Sequence, residues 1–282
     1  MSRSEGWRLR ITHETRFGYD APARSSYNEL RITPRTERRQ TALETRIVTV
    51  PAAPQYTYVD YWGTNVVAFN IDRAHESLAI VGSVLIDTHG PEEATDVSWR
   101  EVDDASHTMA DYLSHSERNY TTPGPELSAL AQGVRAERPL DTARAIMAKA
   151  NESLAYERDV TTVHTSANEA FTDGVGVCQD FAHLTLAMCK EVGLPSRYVS
   201  GYLHPESGAI VGEEITGQSH AWVEVWTGSW WGYDPTNDCP VGERHVAIGR
   251  GRDYSDVPPV KGIYAGNAEN TMRVTVRVVR TA

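Results

Sequence analysis

The hydrophobic and polar positions of this chain change period twice. Through the first hundred residues, apolar side chains alternate with polar ones in short runs rich in β-branched residues: Arg8 to Thr15, Glu44 to Val50, Asn65 to Ile71 and Ser77 to Ile86. A period of two turns one face of a strand inward and the other towards water. Turn residues at Asp20-Ala-Pro22, Pro51 to Pro54 and Trp62-Gly63 separate the runs. Short strands at this spacing predict a β-sandwich or small barrel.

The period then lengthens. A breaker cluster, Thr121-Thr-Pro-Gly-Pro125, closes a segment of mixed character that starts at Ser98. Helical patterns follow over Glu126 to Glu137 and Asp141 to Leu154. In the second, Ala143, Ile146, Met147, Ala150 and Leu154 share one helical face, and Asp141 after Pro139 reads as the N-cap. A third helix is predicted from Cys178 to Val192, with Gly193 as its C′ residue and Pro195 as its stop. Apolar residues lie all round it, which predicts burial on more than one side. Strand periods return at Arg197 to Leu203, His220 to Trp226 and Trp230 to Tyr233, and in a closing strand at Met272 to Val279. The chain thus divides into a β-rich domain over 1–98, a connecting segment over 99–125 and an α+β core over 126–282.

The net charge of −11 argues against a nucleic-acid partner, because phosphates would be repelled. No apolar stretch is long enough to cross a bilayer, and the polar start from Met1 to Arg10 has no apolar leader core. Three cysteines, an odd and sparse set without a C-x-x-C pair, do not form a disulfide framework. A cytoplasmic protein with one reactive thiol is the expectation; oligomeric state is not legible.

Cys178 is the candidate thiol. A thiol attacks only as its thiolate, and a helix N-terminus favours that anion. Gly174 and Gly176 before it permit close backbone approach, and the amide of Cys178 itself can face a developing oxyanion. Cys189, among Leu186, Met188 and Val192, reads as core, and Cys239 as structural. His220 opens a strand that the loop Thr227-Gly-Ser229 returns into Trp230 to Asp234. With three residues in that loop, Trp226 faces Trp230, Trp222 faces Asp234, and His220 is the diagonal neighbour of Asp234 on the same face. A two-residue loop would put them on opposite faces. The carboxylate could then fix the imidazole tautomer so that the other nitrogen meets the thiol.

The segments Gly174-Val-Gly-Val-Cys-Gln-Asp-Phe-Ala-His183, Gly193-Leu-Pro-Ser-Arg-Tyr-Val-Ser-Gly-Tyr202, Ser219-His-Ala-Trp-Val-Glu224 and Asp234-Pro-Thr-Asn237 together resemble the bacterial transglutaminase-like family. Thr12 to Asp20 and Asn28 to Pro34 are similar to the β-rich N-terminal domain found with that core. Gly251 to Gly262 is similar to a segment beyond it. The resemblance implies a β-sandwich-like domain followed by a papain-like core, with a central Cys-bearing helix on an antiparallel sheet. It also implies a Cys178–His220–Asp234 triad performing acyl transfer on a peptide or protein substrate without a cofactor. Hydrolysis is the expected outcome, with amine crosslinking or mere peptide binding as alternatives. No D-x-D-x-D-G calcium loop is present, and the zinc-binding cysteine pairs of peptide N-glycanases are absent.

Trp222 is a candidate cleft wall, and Tyr254 and Arg252 are candidate cleft edges on the resemblance. Asp180 in the first turn of the Cys helix reads as a complement to the helix dipole or a tether for a neighbouring loop. His183 reads as a hydrogen-bonded core histidine. A metal site from Cys178, His183 and His220 is conceivable by residue type but not expected.

Overall fold

The computed structural model describes residues 6–282 except residue 159, with only the backbone of residue 218. The start of the chain at residues 1–5, read above as lacking a leader core, lies outside the described residues. No helix among those described is long and apolar enough to cross a membrane.

The N-terminal half is built from β1 (Arg8–Ala23), β2 (Ser25–Leu30), β3 (Gln40–Val50), β4 (Gln55–Val59), β5 (Asn65–Ile71) and β6 (His75–Thr88). β1, β6 and β3 pair antiparallel in one sheet, and β2, β5 and β4 in a second. The alternation read in the sequence decides which side chains meet between them. Leu30, Ile32, Val67, Phe69 and Ile71 pack against Leu78 and Ile80 in a sandwich core. β2 and β4 escaped the sequence reading because polar residues and tyrosines dominate them; their ladders to β5 supply what the pattern lacks.

The helical layer follows: α1 (Trp99–Ser106), α2 (Ala110–Leu113), α3 (Pro125–Gly133), α4 (Pro139–Ser153), the short β7 (Ala155–Tyr156), α5 (Ala167–Asp173), β8 (Val175–Gly176) and α6 (Cys178–Glu191). Two expectations need correcting here. The helix expected over Glu126 to Glu137 is α3 and stops at Gly133. In α4 the N-cap is Arg138, and Asp141 sits inside the first turn. Pro139 takes the first helical position, where its fixed φ and missing N–H cost nothing, so the helix starts earlier than a cap at Asp141 would allow.

The chain ends with β9 (Ser196–Leu203), β10 (Glu214–Trp226), β11 (Trp230–Asp234), β12 (Cys239–Pro240), β13 (His245–Gly251), β14 (Val260–Ala265) and β15 (Asn270–Arg280); all but β14, which joins the sheet of β2, β5 and β4, belong to the core sheet. α6 lies on this sheet, with Phe181, Leu184 and Met188 packed among Val223, Val225 and residues of α3, α4 and α5. β10 begins six residues before His220, so His220 stands mid-strand rather than at a strand start. Glu214–Gly217 carry little strand signal of their own; they are held by pairing with Gly217↔Val276 through Glu214↔Val279 of β15. β15 also pairs along β1, and β14 pairs with β2. The last strands of the chain therefore complete both N-terminal sheets, and one continuous sheet runs from β3 through β1 and β15 to β10.

A buried ion network braces β10 behind the site. Glu224 lies opposite Arg197 in the β9–β10 ladder and accepts its Nε at 2.6 Å. It also accepts Arg250 through Nε and Nη2, both at 2.9 Å, while Arg250 reaches Glu37 of the N-terminal half at 2.7 and 2.8 Å. Burial alone would raise the Glu224 pKa, but the two guanidinium groups overrule it and hold it at about 2. A depressed carboxylate adds stability above its ordinary 4.5 and loses it as pH falls towards 2. Glu224→Ala would strand two largely buried cations. It should cost about 3–5 kcal/mol in urea unfolding, and the variant should show a smaller stability change than the wild type between those pH values.

Candidate active site

The approach to Cys178 is set by backbone. α5 ends on Gly174 at φ +69°, in the left-handed region, and the chain runs through β8 into α6. Asp180 ties the turn together. Its Oδ2 accepts the Val177 amide at 2.8 Å and the Thr161 hydroxyl at 2.7 Å, so it holds the neighbouring loop as well as the helix start. Asp180 is fully buried, and that burial raises its pKa against the pull of both hydrogen bonds. Cys178 at the first position of α6 is half-buried. The first amides of a helix lack an acceptor one turn earlier, and the positive end of the helix lies at the sulfur.

The other cysteines differ. Cys189 is fully buried, and burial pushes its thiol up to about 12. Cys239 pairs with Asp234 in the β11–β12 ladder, and burial raises its pKa too.

The β10–β11 hairpin has the three-residue loop. Trp226 pairs with Trp230 and Val223 with Tyr233, and Gly228 takes φ +107° at the turn. That register puts His220 and Asp234 on one face, with His220 Nε2 2.6 Å from Asp234 Oδ2. Asp234 is wholly buried, yet its oxygens are well supplied. Oδ1 accepts the amides of Thr236 and Asn237 at 3.0 and 3.2 Å, and Oδ2 also accepts Asn237 Nδ2 at 2.7 Å. His245 Nε2 approaches the same Oδ2 at 3.2 Å.

Burial disfavours charge on both partners of the pair, but each overrules it for the other. The Asp234 charge and hydrogen bond, with a smaller push from the nearby Cys178 sulfur, raise His220 to about 10. Burial opposes ionisation of Asp234 as well; His220 and His245 outweigh it and hold the carboxyl far below its ordinary range. With Nε2 committed to Asp234, Nδ1 is the ring nitrogen left to act.

Cys178 and His220 line one cavity of about 400 Å³, together with Tyr156, Tyr198, Ser219 and Tyr254. Tyr198 is buried and stays protonated, its pKa raised by burial and then by the Cys178 sulfur. Of the three cleft residues expected from the sequence, Tyr254 is on this wall. Trp222 is not: it is 1% exposed, packed with Val199, Val241 and Ala247, and meets the His245 ring edge-on at 5.3 Å. Its ring shares the His220 face of β10, 6.1 Å from the His220 ring, but is sealed in rather than on the cavity wall. Arg252 is also off the wall; its guanidinium is bound to Asp256 at 3.0 Å and lies 5.2 Å over the Trp62 ring.

His183 is not drawn towards Cys178 and His220. It is fully buried, accepts the Tyr254 amide at 3.2 Å and stacks on Tyr120, so it helps seat the residue that edges the cavity. Among the described residues, the grouping with metal-ligand spacing is His220, Asp234 and His245. Both rings reach one carboxylate oxygen through Nε2 at hydrogen-bonding distance, so the grouping is accounted for without an ion. His245 and Tyr198 were missed in the sequence. Tyr198 stood in a strand that was read correctly but with no sign of where its ring points, and His245 belongs to β13, a strand that was not read.

Fold and motifs define a protein of the class in which a helix bearing a cysteine packs on an antiparallel sheet bearing a histidine and an aspartate. Residues 128–235 match the model of the transglutaminase-like superfamily, and residues 9–87 match that of the bacterial transglutaminase-like N-terminal region. The chain belongs to the bacterial transglutaminase-like family. An uncharacterised protein of Mycobacterium leprae (strain TN) is 41% identical over 98% of this chain and 100% of its own length. One from Mycobacterium tuberculosis (strain H37Rv) is 33% identical over 96% of this chain and 92% of its own. A solved structure from Cytophaga hutchinsonii, provisionally titled a cysteine protease, superposes with a TM-score of 0.76 at 22% identity, over 97% of this chain and 91% of that one. At that identity the likeness concerns the fold.

Proposed function

We propose that the protein is a thiol-dependent hydrolase of peptide or isopeptide amides, with Cys178 as nucleophile, His220 as general base and acid, and Asp234 as the group that orients His220. The observation that carries this reading is the cavity shared by Cys178 at a helix N-terminus and His220, whose far nitrogen is bound to a buried carboxylate. The Cys178 thiolate attacks the amide carbonyl carbon and forms a C–S bond. His220 gives its proton to the leaving amine as the C–N bond breaks. Water then attacks the thioester, His220 takes a proton from it, and the C–S bond breaks to release the acid. The Cys178 amide serves as one oxyanion donor.

We take hydrolysis rather than amine transfer as the second half-reaction. Tyr156, Val163 and Val274 border the cavity and are 47%, 46% and 44% exposed, so water reaches the acyl-enzyme. The three free thiols suit a reducing compartment, and we take the cytoplasm as the setting.

The test is iodoacetamide labelling against pH, read by mass spectrometry at each cysteine. Cys178 should react at a pH well below the free-thiol value of about 8.5 while Cys189 stays inert. Absence of selective labelling at Cys178 in the folded protein would defeat the reading. Turnover of captured peptides in the presence of a fluorescent primary amine then separates hydrolysis from crosslinking: release of free acid supports the former, and incorporation of the amine overturns it.

A further inference from the structure

His245 meets the same carboxylate oxygen as His220, from another strand, β13. Its partners define its protonation. The backbone amide of Gly242 donates to His245 Nδ1 at 3.2 Å, and the His245 amide returns a bond to the Gly242 carbonyl at 3.0 Å. A backbone N–H can only donate, so Nδ1 is an acceptor and carries no proton. The ring proton of the neutral imidazole must then sit on Nε2, which faces Asp234 Oδ2 at 3.2 Å. A second proton on the ring would have to displace the Gly242 amide.

This matters because two histidines on one oxygen could compete. Were His245 an imidazolium, Asp234 would divide its charge between two cations, and its hold on His220 would weaken. Three charged groups act on the ring: Asp234 from β11, His220 from β10 and Arg244 beside it in the chain. On its other side lies a second cavity that it lines with Glu37, Arg39, Glu224 and Arg250. Within that cluster Glu224 and Arg250 are bound to each other, and Arg250 also to Glu37. Burial lowers the His245 pKa against the pull of Asp234, in keeping with a neutral ring.

We propose that His245 is a positioning residue: a neutral histidine, locked by the Gly242 amide into the Nε2–H tautomer, that fixes the Asp234 carboxylate while leaving its charge to His220. The inference rests on the triad reading above. Unlike a backbone amide, the ring also fills space, with its edge against the Trp222 ring, so it couples the packing around Trp222 to the geometry of the catalytic pair.

Two variants and one spectrum test it. In His245→Gln the side-chain amide can put an N–H where Nε2–H stood, and in His245→Leu no donor remains. Labelling of Cys178 at about pH 6, well below the free-thiol value, should fall about tenfold in His245→Leu, the weight of one hydrogen bond to a charged group. The acid side of its labelling profile should move towards that of a free thiol, and His245→Gln should recover most of the rate. In the unmodified protein, nitrogen-resolved NMR of the ring should show a bare Nδ1 and a protonated Nε2. A proton on Nδ1 overturns the proposal, whether or not the variants fold. So does a folded His245→Leu that labels as the wild type does, or a folded His245→Gln that is no better than His245→Leu. Wild-type protein in which Cys178 is not selectively labelled would instead bring down the triad reading, and this inference with it.

Discussion

Asp234→Asn should lower turnover on the order of ten-thousandfold and bring the alkaline limb of the pH–rate profile down from near 10 towards 6.5. The carboxylate now accepts the His220 Nε2–H at 2.6 Å, and that bond leaves Nδ1 to exchange protons with the thiol. An asparagine that keeps its oxygen on the Thr236 and Asn237 amides must turn its NH₂ towards His220. It then donates where an acceptor is needed, and the ring proton is driven to Nδ1, the nitrogen that has to receive the thiol proton. The pH shift follows from the same loss. His220 is raised from 6.5 to about 10 by the Asp234 charge against the opposing effect of burial, and asparagine removes that charge.

Stability should respond with a defined sign. A raised histidine pKa contributes stability that is complete below 6.5 and is lost as pH rises through about 10. The depressed carboxyl contributes above 3.8 and loses it as pH falls. These are two views of one ion pair, so the wild type should have its full benefit between about pH 3.8 and 6.5. Thermal unfolding followed against pH should show the alkaline flank in the wild type and not in Asp234→Asn, and the acid flank should shrink in the variant to what Glu224 contributes. Equal turnover in the two proteins would remove Asp234 from the mechanism.

Cys178→Ala should abolish turnover, a loss of about 10⁵-fold or more, because no other group can form the acyl intermediate. Cys189 is sealed in the core with its pKa pushed up to about 12, and Cys239 is engaged in the strand pair with Asp234. Neither can substitute. The fold should hardly notice: Cys178 is only half-buried, and the turn beneath it is held by Asp180 rather than by the thiol. A change of less than about 1 kcal/mol in urea unfolding is expected, as for a marginally buried side chain. The same variant, incubated with cell extract, should retain uncleaved substrate for identification. Residual turnover at the wild-type rate would place the chemistry elsewhere.

These two residues were legible because each occupies a locally specified place. Glycines, then a cysteine, then an apolar helical run is a statement about backbone that the chain makes by itself, and α6 begins at Cys178. The Thr227-Gly-Ser229 loop likewise decides the pairing of β10 with β11, and with it the face that His220 shares with Asp234. Two capping boxes, Ser98 with Glu101 and Ser166 with Glu169, were equally local and would have revealed α1 and α5.

What was misjudged depends on partners far away in the chain. Trp222 looked like a cleft wall because, two residues from His220, it shares that residue's face of β10; only the packing of Val199, Val241 and Ala247 around it shows that its ring is sealed in rather than lining the cavity. Arg252 looked free until Asp256 was seen to hold it.

The α+β order of elements and the helix that presents Cys178 could be read from the chain alone, and the hairpin was narrowed to two registers of which the three-residue loop is the one adopted, since all of these rest on periods and turns within about twenty residues. Only the tertiary structure decided that the last strand lies between β1 and β10, that Tyr198 and Tyr254 face the thiol, and that His245 comes from a separate strand to the buried oxygen of Asp234. The physical reason is that a side chain's face in a sheet, and the partner of a buried charge, are set by ladders and packing between distant segments. No local pattern encodes them.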